Sequence, residues 1–291
     1  MTDRARPKDN LTAMPFVAPF VLVYAVMFIY PTILMVTMSL TNSSLTVAGE
    51  WVGWDNYAKL LTDRRFGVAI LNTLLFVAVT VGPGTLVGLG LAMLVNRLNG
   101  FWRATVLAAF FLPYVLPVST VTTIAYLIAL PGAPLGGIYS RGGQAIPIWS
   151  NLPTFIPAIA VMTIWWTVGF TVLIFLAGLR TLPKDLFEAA RIDGAGRWTI
   201  FTFVTWPLMW PVTALVVTLQ TIMQFKVFDQ VYLMATSGRT DPTMVLVQYV
   251  YVVAFQRNQA GYGSAVAVGL YLVVLVLSVL QWQATRLRSA P

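Results

Sequence analysis

Two residue types are missing from this chain, and each absence closes off a class of chemistry. None of the 291 residues is cysteine, which excludes disulfides, iron–sulfur clusters and thiol catalysis. None is histidine, which removes the commonest metal ligand and general base. Charge is scarce too, at 10% of residues against 58% hydrophobic. No Gly-x-x-x-x-Gly-Lys phosphate loop occurs anywhere. The carboxylates lie in loops or near the ends of apolar runs, and none is paired with another for acid–base work. A membrane enzyme and an ion-coupled carrier both fit poorly, the latter because it would bury ionisable groups deep in its spans. No catalytic residue and no metal site is therefore expected.

What the chain has instead is length of apolar sequence. Mean hydropathy of +0.79 lies far from soluble globular composition, and crossing the hydrocarbon core takes about 20 mostly apolar residues. Six runs qualify: Met14 to Leu40, Val68 to Val95, Thr105 to Leu130, Phe155 to Leu179, Phe203 to Phe225 and Ser264 to Ala284. They are continuous, whereas a membrane barrel would show alternating segments of about 10 residues. The expected fold is all-α, an integral membrane protein read as one transmembrane domain over residues 1–291. The basic N-terminus precedes a run about twice the length of a signal h-region, so the first span is expected to be retained.

Six spans put both termini on one side. That side would carry eleven of the Lys and Arg residues and the other side seven, over longer loops. Positive loops resist translocation, so both termini are expected in the cytoplasm. This bias accounts for the net charge of +8 without a nucleic-acid partner. Three outer stretches then separate the spans. Thr41 to Gly67 mixes turn residues with aromatics suited to the membrane–water interface, and Pro131 to Pro153 is rich in Gly and Pro and expected to be irregular. Within the latter, Ser140-Arg141-Gly142-Gly143-Gln144 is like an ATPase signature by chance alone. In the third stretch, Thr243 to Phe255 is too short to span and reads as an interfacial or packed helix.

Between the fourth and fifth runs lies a polar, helix-capable segment, 183–207. Asp185 and Glu188 are spaced as a capping-box pair, and Pro183 suits a helix entrance. Gly194 can take a positive φ and stop the helix, and Gly196 adds a second flexible point, which predicts a short helix over about Leu186 to Asp193. Ala189 and Ala190 would permit close approach of another protein's groove. An amphipathic linker at the membrane surface fits the same residues.

Glu188-Ala189-Ala190, then Asp193-Gly194-Ala195, then Pro207 resemble the EAA loop of permease subunits from binding-protein-dependent ABC importers. Further stretches are similar to the carbohydrate-importing branch: Gly53-Trp54-Asp55-Asn56-Tyr57, Phe111-Leu112-Pro113, Leu182-Pro183-Lys184-Asp185-Leu186 and Phe225-Lys226-Val227-Phe228-Asp229. Trp206 departs from the family's usual Leu before the proline. The resemblance implies a type I importer permease fold in a bacterial or archaeal cell membrane. It also implies a second, related permease as partner, two cytoplasmic ATPases that use ATP and Mg, and an extracytoplasmic substrate-binding protein. This chain would hold no cofactor itself. Carried over, Glu188 is the ionic contact to the ATPase, Ala189 and Ala190 allow close docking, Gly194 makes the turn that fixes the helix direction, and Asp193 and Ala195 belong to the same ATPase-docking segment.

Polar side chains inside spans are costly and therefore informative. Gln220 and Gln224 share one face of the fifth run, and Thr163, Trp166, Thr167 and Phe170 share one of the fourth. Amides and hydroxyls beside aromatic faces suit a sugar, whereas Gln and Thr also serve as helix–helix contacts. Both readings stay open on the residues alone. A polyol phosphate such as glycerol 3-phosphate is the rival substrate, with Lys226 the visible candidate to meet its charge.

Overall fold

The computed structural model describes residues 7–128, 140–141, 144–145, 152–234 and 242–288. Apart from one short strand pair, these residues form helices and their connections. The chain divides into two compact units, Met1–Asp63 with Val250–Tyr271, and Arg64–Tyr249 with Leu272–Pro291.

In the first unit, α1 (Pro7–Tyr24) continues through a π-helical turn at Ala25–Ile29 into α2 (Tyr30–Met38). Val17–Met38 is long and apolar enough to cross a membrane. None of the described side chains of α1 and α2 is buried within the chain. After α2, the expected interfacial stretch is more ordered than its composition implies, because buried Asn56 at the start of α3 (Asp55–Thr62) staples it. Its amide donates to the Ser39 and Thr41 carbonyls, both at 2.8 Å. Tyr57 and Ser39 share a hydroxyl hydrogen bond of 2.6 Å. Asn258, at φ +53, accepts from the Leu45 amide, and Tyr262 donates to Asp63 at 2.6 Å. Trp51 and Trp54 stay exposed, as interfacial aromatics do.

The second unit is built on α4 (Arg64–Asn96) and α7 (Leu152–Thr181), the two longest helices that start and finish within it. Phe76 of α4 packs with Phe155, Ile156 and Ile159 near the start of α7, and Leu89 and Ala92 pack with Val172 and Phe175 near its end. The two helices therefore run in the same direction. Parallel neighbours need a return crossing between them, and α5 (Gly100–Val115) with α6 (Val118–Ile128) supplies it. This return is not straight, because the pair is bent by 94°. Proline at 117 forces its predecessor out of the helical region, and Leu116 sits at φ −71°, ψ 140°.

The fifth run is broken in the same way. Arg197–Leu208, comprising α9 (Arg197–Ile200), a π turn at Phe201–Thr205 and α10 (Trp206–Leu208), meets α11 (Trp210–Phe225) at 65°. Pro207 and Pro211 flank the break, where their missing amides release backbone hydrogen bonds. Pro83 lies within α4 without breaking it. Among the described residues, four helices, or six counting each bent pair as one, are thus long and apolar enough to cross a membrane. The last is Ala260–Gln281 of α14 (Ala260–Arg288). Each of the six corresponds to one predicted run, and the third and fifth are bent at the prolines that lie within them.

Two open expectations resolve here. Thr243, Met244, Val245, Leu246 and Tyr249 are buried, and Asn72 donates to the carbonyls of Pro242 and Met244 at 2.9 Å, so the short segment containing α13 (Leu246–Tyr251) is packed rather than interfacial. Helix α12 (Asp229–Met234) joins the same core through Val231 and Met234. Of Pro131 to Pro153, the described residues include the antiparallel pair β1 (Ser140–Arg141) and β2 (Gln144–Ala145) and the start of α7, while the rest of that expectation lies outside them.

Helix α5 comes close to α7 at Gly169, where a Cβ would run into the backbone of Phe110 and Phe111. Gly169→Leu is expected to destabilise the fold by about 1–3 kcal/mol, read as a lowered unfolding midpoint of the detergent-purified chain. Gly67→Leu, whose added Cβ meets open space, serves as the control.

Candidate functional site

The polar segment between the fourth and fifth spans forms α8 (Lys184–Ile192). The expected capping box does not form, because the helix starts two residues earlier than the spacing predicts. Pro183, at φ −63° and ψ 124°, takes the N-cap position, and no side chain caps the helix. Asp185 instead lies in the first turn, where a carboxylate complements the positive end of the helix dipole, and Arg191 lies in the last turn. The C-terminus behaves as predicted. Gly194 adopts φ +76°, its amide donates to Arg191, and the Ala195 amide donates to Ala190 at 2.9 Å. This double closure is a Schellman motif. Gly196 departs from its expected role: at φ −70° and ψ 165° it is extended and serves as the N-cap of α9.

At 3.6 residues per turn, α8 has two distinct faces. Lys184, Phe187, Glu188 and Arg191 line a cavity of about 870 Å³. Its other walls come from the end of α4 with Asn96 and Arg97, the end of α7 with Arg180, and the start of the fifth span from Arg197 to Thr205. Leu186 and Ala189 project on the opposite face, exposed, with Ile192 at 86% exposure on its flank. The motif residues are thereby distributed. Glu188 is exposed at the cavity side, Ala189 faces outward, Ala190 and Ala195 are half-buried, and Asp193 and Gly194 are exposed at the turn.

The mid-span residues separate by burial. Thr163 is fully buried, and its hydroxyl has no partner among the described residues. Thr167 is buried and donates to the Thr163 carbonyl at 2.8 Å. Trp166 and Phe170 are half-buried and meet at Tyr114, whose ring stacks on Phe170 at 5.3 Å and lies 6.0 Å from Trp166. The Trp166 indole N–H donates at 3.3 Å to the Leu116 carbonyl, which the break at Pro117 leaves outside any helix. Gln220 is buried and donates at 2.6 Å to Thr171, close to Gly84 of α4. Gln224 is buried as well. Tyr114 and Thr171 belong to these clusters but do not stand out in the sequence pattern. Thr171 continues the four-residue spacing of Thr163 and Thr167, which is the signal that would have found it.

Comparison with known proteins adds four findings. Residues 84–286 match the family described as "Binding-protein-dependent transport system inner membrane component". The chain is 31% identical over 285 residues to the sulfoquinovosyl glycerol transport system permease protein SmoG of Agrobacterium fabrum, covering 97% of this chain and 92% of that protein. It is 32% identical to the arabinooligosaccharides transport system permease protein AraP of Bacillus subtilis, covering 91% and 85%. In fold it is similar to a chain of a bacterial ABC transporter involved in the import of alginate, with a TM-score of 0.84 and 21% identity over 97% of this chain and 98% of that one.

The Gln220–Thr171 contact generates a stability test. Thr171→Val strands the Gln220 amide and is expected to cost about 1 kcal/mol, the usual scale for a hydrogen bond between membrane helices. Thermal unfolding of Thr171→Val, Gln220→Leu and the double variant should show the double costing less than the two single changes added together.

Proposed function

Because the chain belongs to the family of binding-protein-dependent transport system inner membrane components, we propose that it is the permease subunit of an ATP-driven importer of a carbohydrate. It is a multi-pass protein of the cell membrane. In this reading it pairs with a second, related permease, receives sugar from an external binding protein and rests on two cytoplasmic ATPases. ATP and Mg are handled by those ATPases, and this chain contributes no catalysis and binds no cofactor. Both termini face the cytoplasm, in keeping with the Lys and Arg excess on that side.

The observation that carries the proposal is α8 itself. It is a short rod closed at its C-terminus by the Gly194 turn and joined to the fourth and fifth spans by only a few residues at each end. A floppy loop would absorb the displacement of a docked ATPase, whereas a stiff element between two spans passes it on. The outward face of Leu186, Ala189 and Ile192 docks in a groove of the ATPase, and Glu188, exposed on the cavity side of the rod, reaches around it to a basic group there. Asp193, Gly194 and Ala195 hold the angle at which the rod leaves the membrane.

Substrate recognition in this reading falls to the half-buried rings of Tyr114, Trp166 and Phe170, which offer flat faces to the C–H side of a sugar. Gln220, Gln224, Thr163 and Thr167 sit deeper, and their polar atoms form the second layer of the path. The sugars in the names of the relatives, an arabinooligosaccharide and a sulfoquinovosyl glycerol, support a carbohydrate cargo.

Glu188→Lys is expected to lower uptake by reconstituted transporter at least about thirtyfold, the scale of reversing one partner of an interfacial ion pair. Membrane insertion should be unchanged, and wild-type uptake in this variant would overturn the docking assignment. Trp166→Ala with Phe170→Ala should raise the sugar concentration giving half-maximal uptake, measured in proteoliposomes, while ATP hydrolysis remains coupled.

A further inference from the structure

The cavity behind α8 holds an unbalanced set of charges. Arg97, Arg180, Lys184, Arg191 and Arg197 all line it, against one carboxylate, Glu188. None of the five cations forms an ion pair among the described residues. Arg103, by contrast, is occupied: it donates to the Leu98 carbonyl and to the Asn99 side chain at 2.9 Å. All five are exposed, so water and salt screen much of their mutual repulsion, and an anion entering the cavity would relieve the rest.

The position and the rest of the lining say what kind of anion. The cavity lies where three apolar helical spans end, at Asn96, at Thr181 and at the start of the fifth span. Phe187, Phe201, Leu179 and Leu182 supply apolar wall beside the guanidinium groups. Free phosphate has no use for such a surface, whereas a phospholipid presents an anionic headgroup and an acyl chain together. Trp198, exposed to 74%, stands beside the cavity wall as an interfacial aromatic. Basic pockets at the cytoplasmic ends of spans are suited to anionic headgroups.

We infer that this cavity is a binding site for an anionic phospholipid of the inner leaflet. The lipid phosphate sits among Arg97, Arg180 and Arg197, and its acyl chain runs along the phenylalanine wall. A lipid held there braces the cavity side of α8 and leaves the outward face of Leu186, Ala189 and Ile192 free. The inference takes from the proposed function only that these loops face the cytoplasm, and its test requires no ATPase.

The experiment is native mass spectrometry of the full-length, delipidated chain titrated with phosphatidylglycerol, with phosphatidylcholine of the same acyl length, and with inorganic phosphate. A single phosphatidylglycerol should be retained at a concentration where phosphatidylcholine is not, and millimolar phosphate should fail to displace it. Arg97→Gln with Arg180→Gln should weaken retention roughly thirtyfold, the expected effect of two basic groups at a membrane surface. Arg97→Lys with Arg180→Lys should keep most of it, which separates loss of charge from loss of fold. Equal retention of the two lipids, or unchanged phosphatidylglycerol retention in the glutamine pair, overturns the site. Displacement by phosphate overturns the lipid as its occupant.

Discussion

Hydrocarbon offers a backbone amide no partner, so each polar main-chain group within the bilayer must find one inside the protein. Continuous helix meets that demand over α4 and α7, and the rest of the second unit is arranged around this pair. Where proline interrupts a helix, the freed groups need another answer. The carbonyl of Leu116, released at Pro117, receives the indole N–H of Trp166 from α7. The break is thus tied to the helix that also carries the candidate aromatic face, and the same side chain serves both.

The same constraint explains the polar residues of the interior. Thr73 receives the Leu246 amide and Asn72 satisfies two carbonyls of the packed segment 242–246, so both side chains stand in for backbone partners that a short, irregular stretch cannot supply. Gln220 and Thr171 pair across α11 and α7 where Gly84 lets α4 come close. Polar contacts of this kind orient the helices more than they stabilise them, since each contributes little in a membrane.

Outside the bilayer the logic reverses. Helix α8 is short and exposed, and water can satisfy its backbone, so its shape depends on local devices: a proline before it, a glycine at positive φ after it. Its cavity side gathers cations from three span ends, and its outward side exposes Leu186, Ala189 and Ile192. One rod therefore presents different chemistry toward the span ends and away from them.

Much of this was legible in the residues themselves. The six apolar runs, the helical class and the Gly194 stop follow from length, composition and backbone sterics, which are local properties. Local rules failed where two signals competed. Asp185 and Glu188 have capping spacing, yet Pro183 starts the helix earlier and leaves Asp185 inside it. Proline positions show where a span can bend, but not that Pro83 is absorbed within α4 while Pro117 turns the chain by 94°. The sequence by itself determined which stretches enter the membrane, because transfer of apolar surface is summed residue by residue. Tertiary structure alone decided which side chains meet, such as Tyr114 with Phe170, Gln220 with Thr171 and five cations around one cavity. Those meetings depend on how helices distant in sequence pack, and no local pattern encodes that.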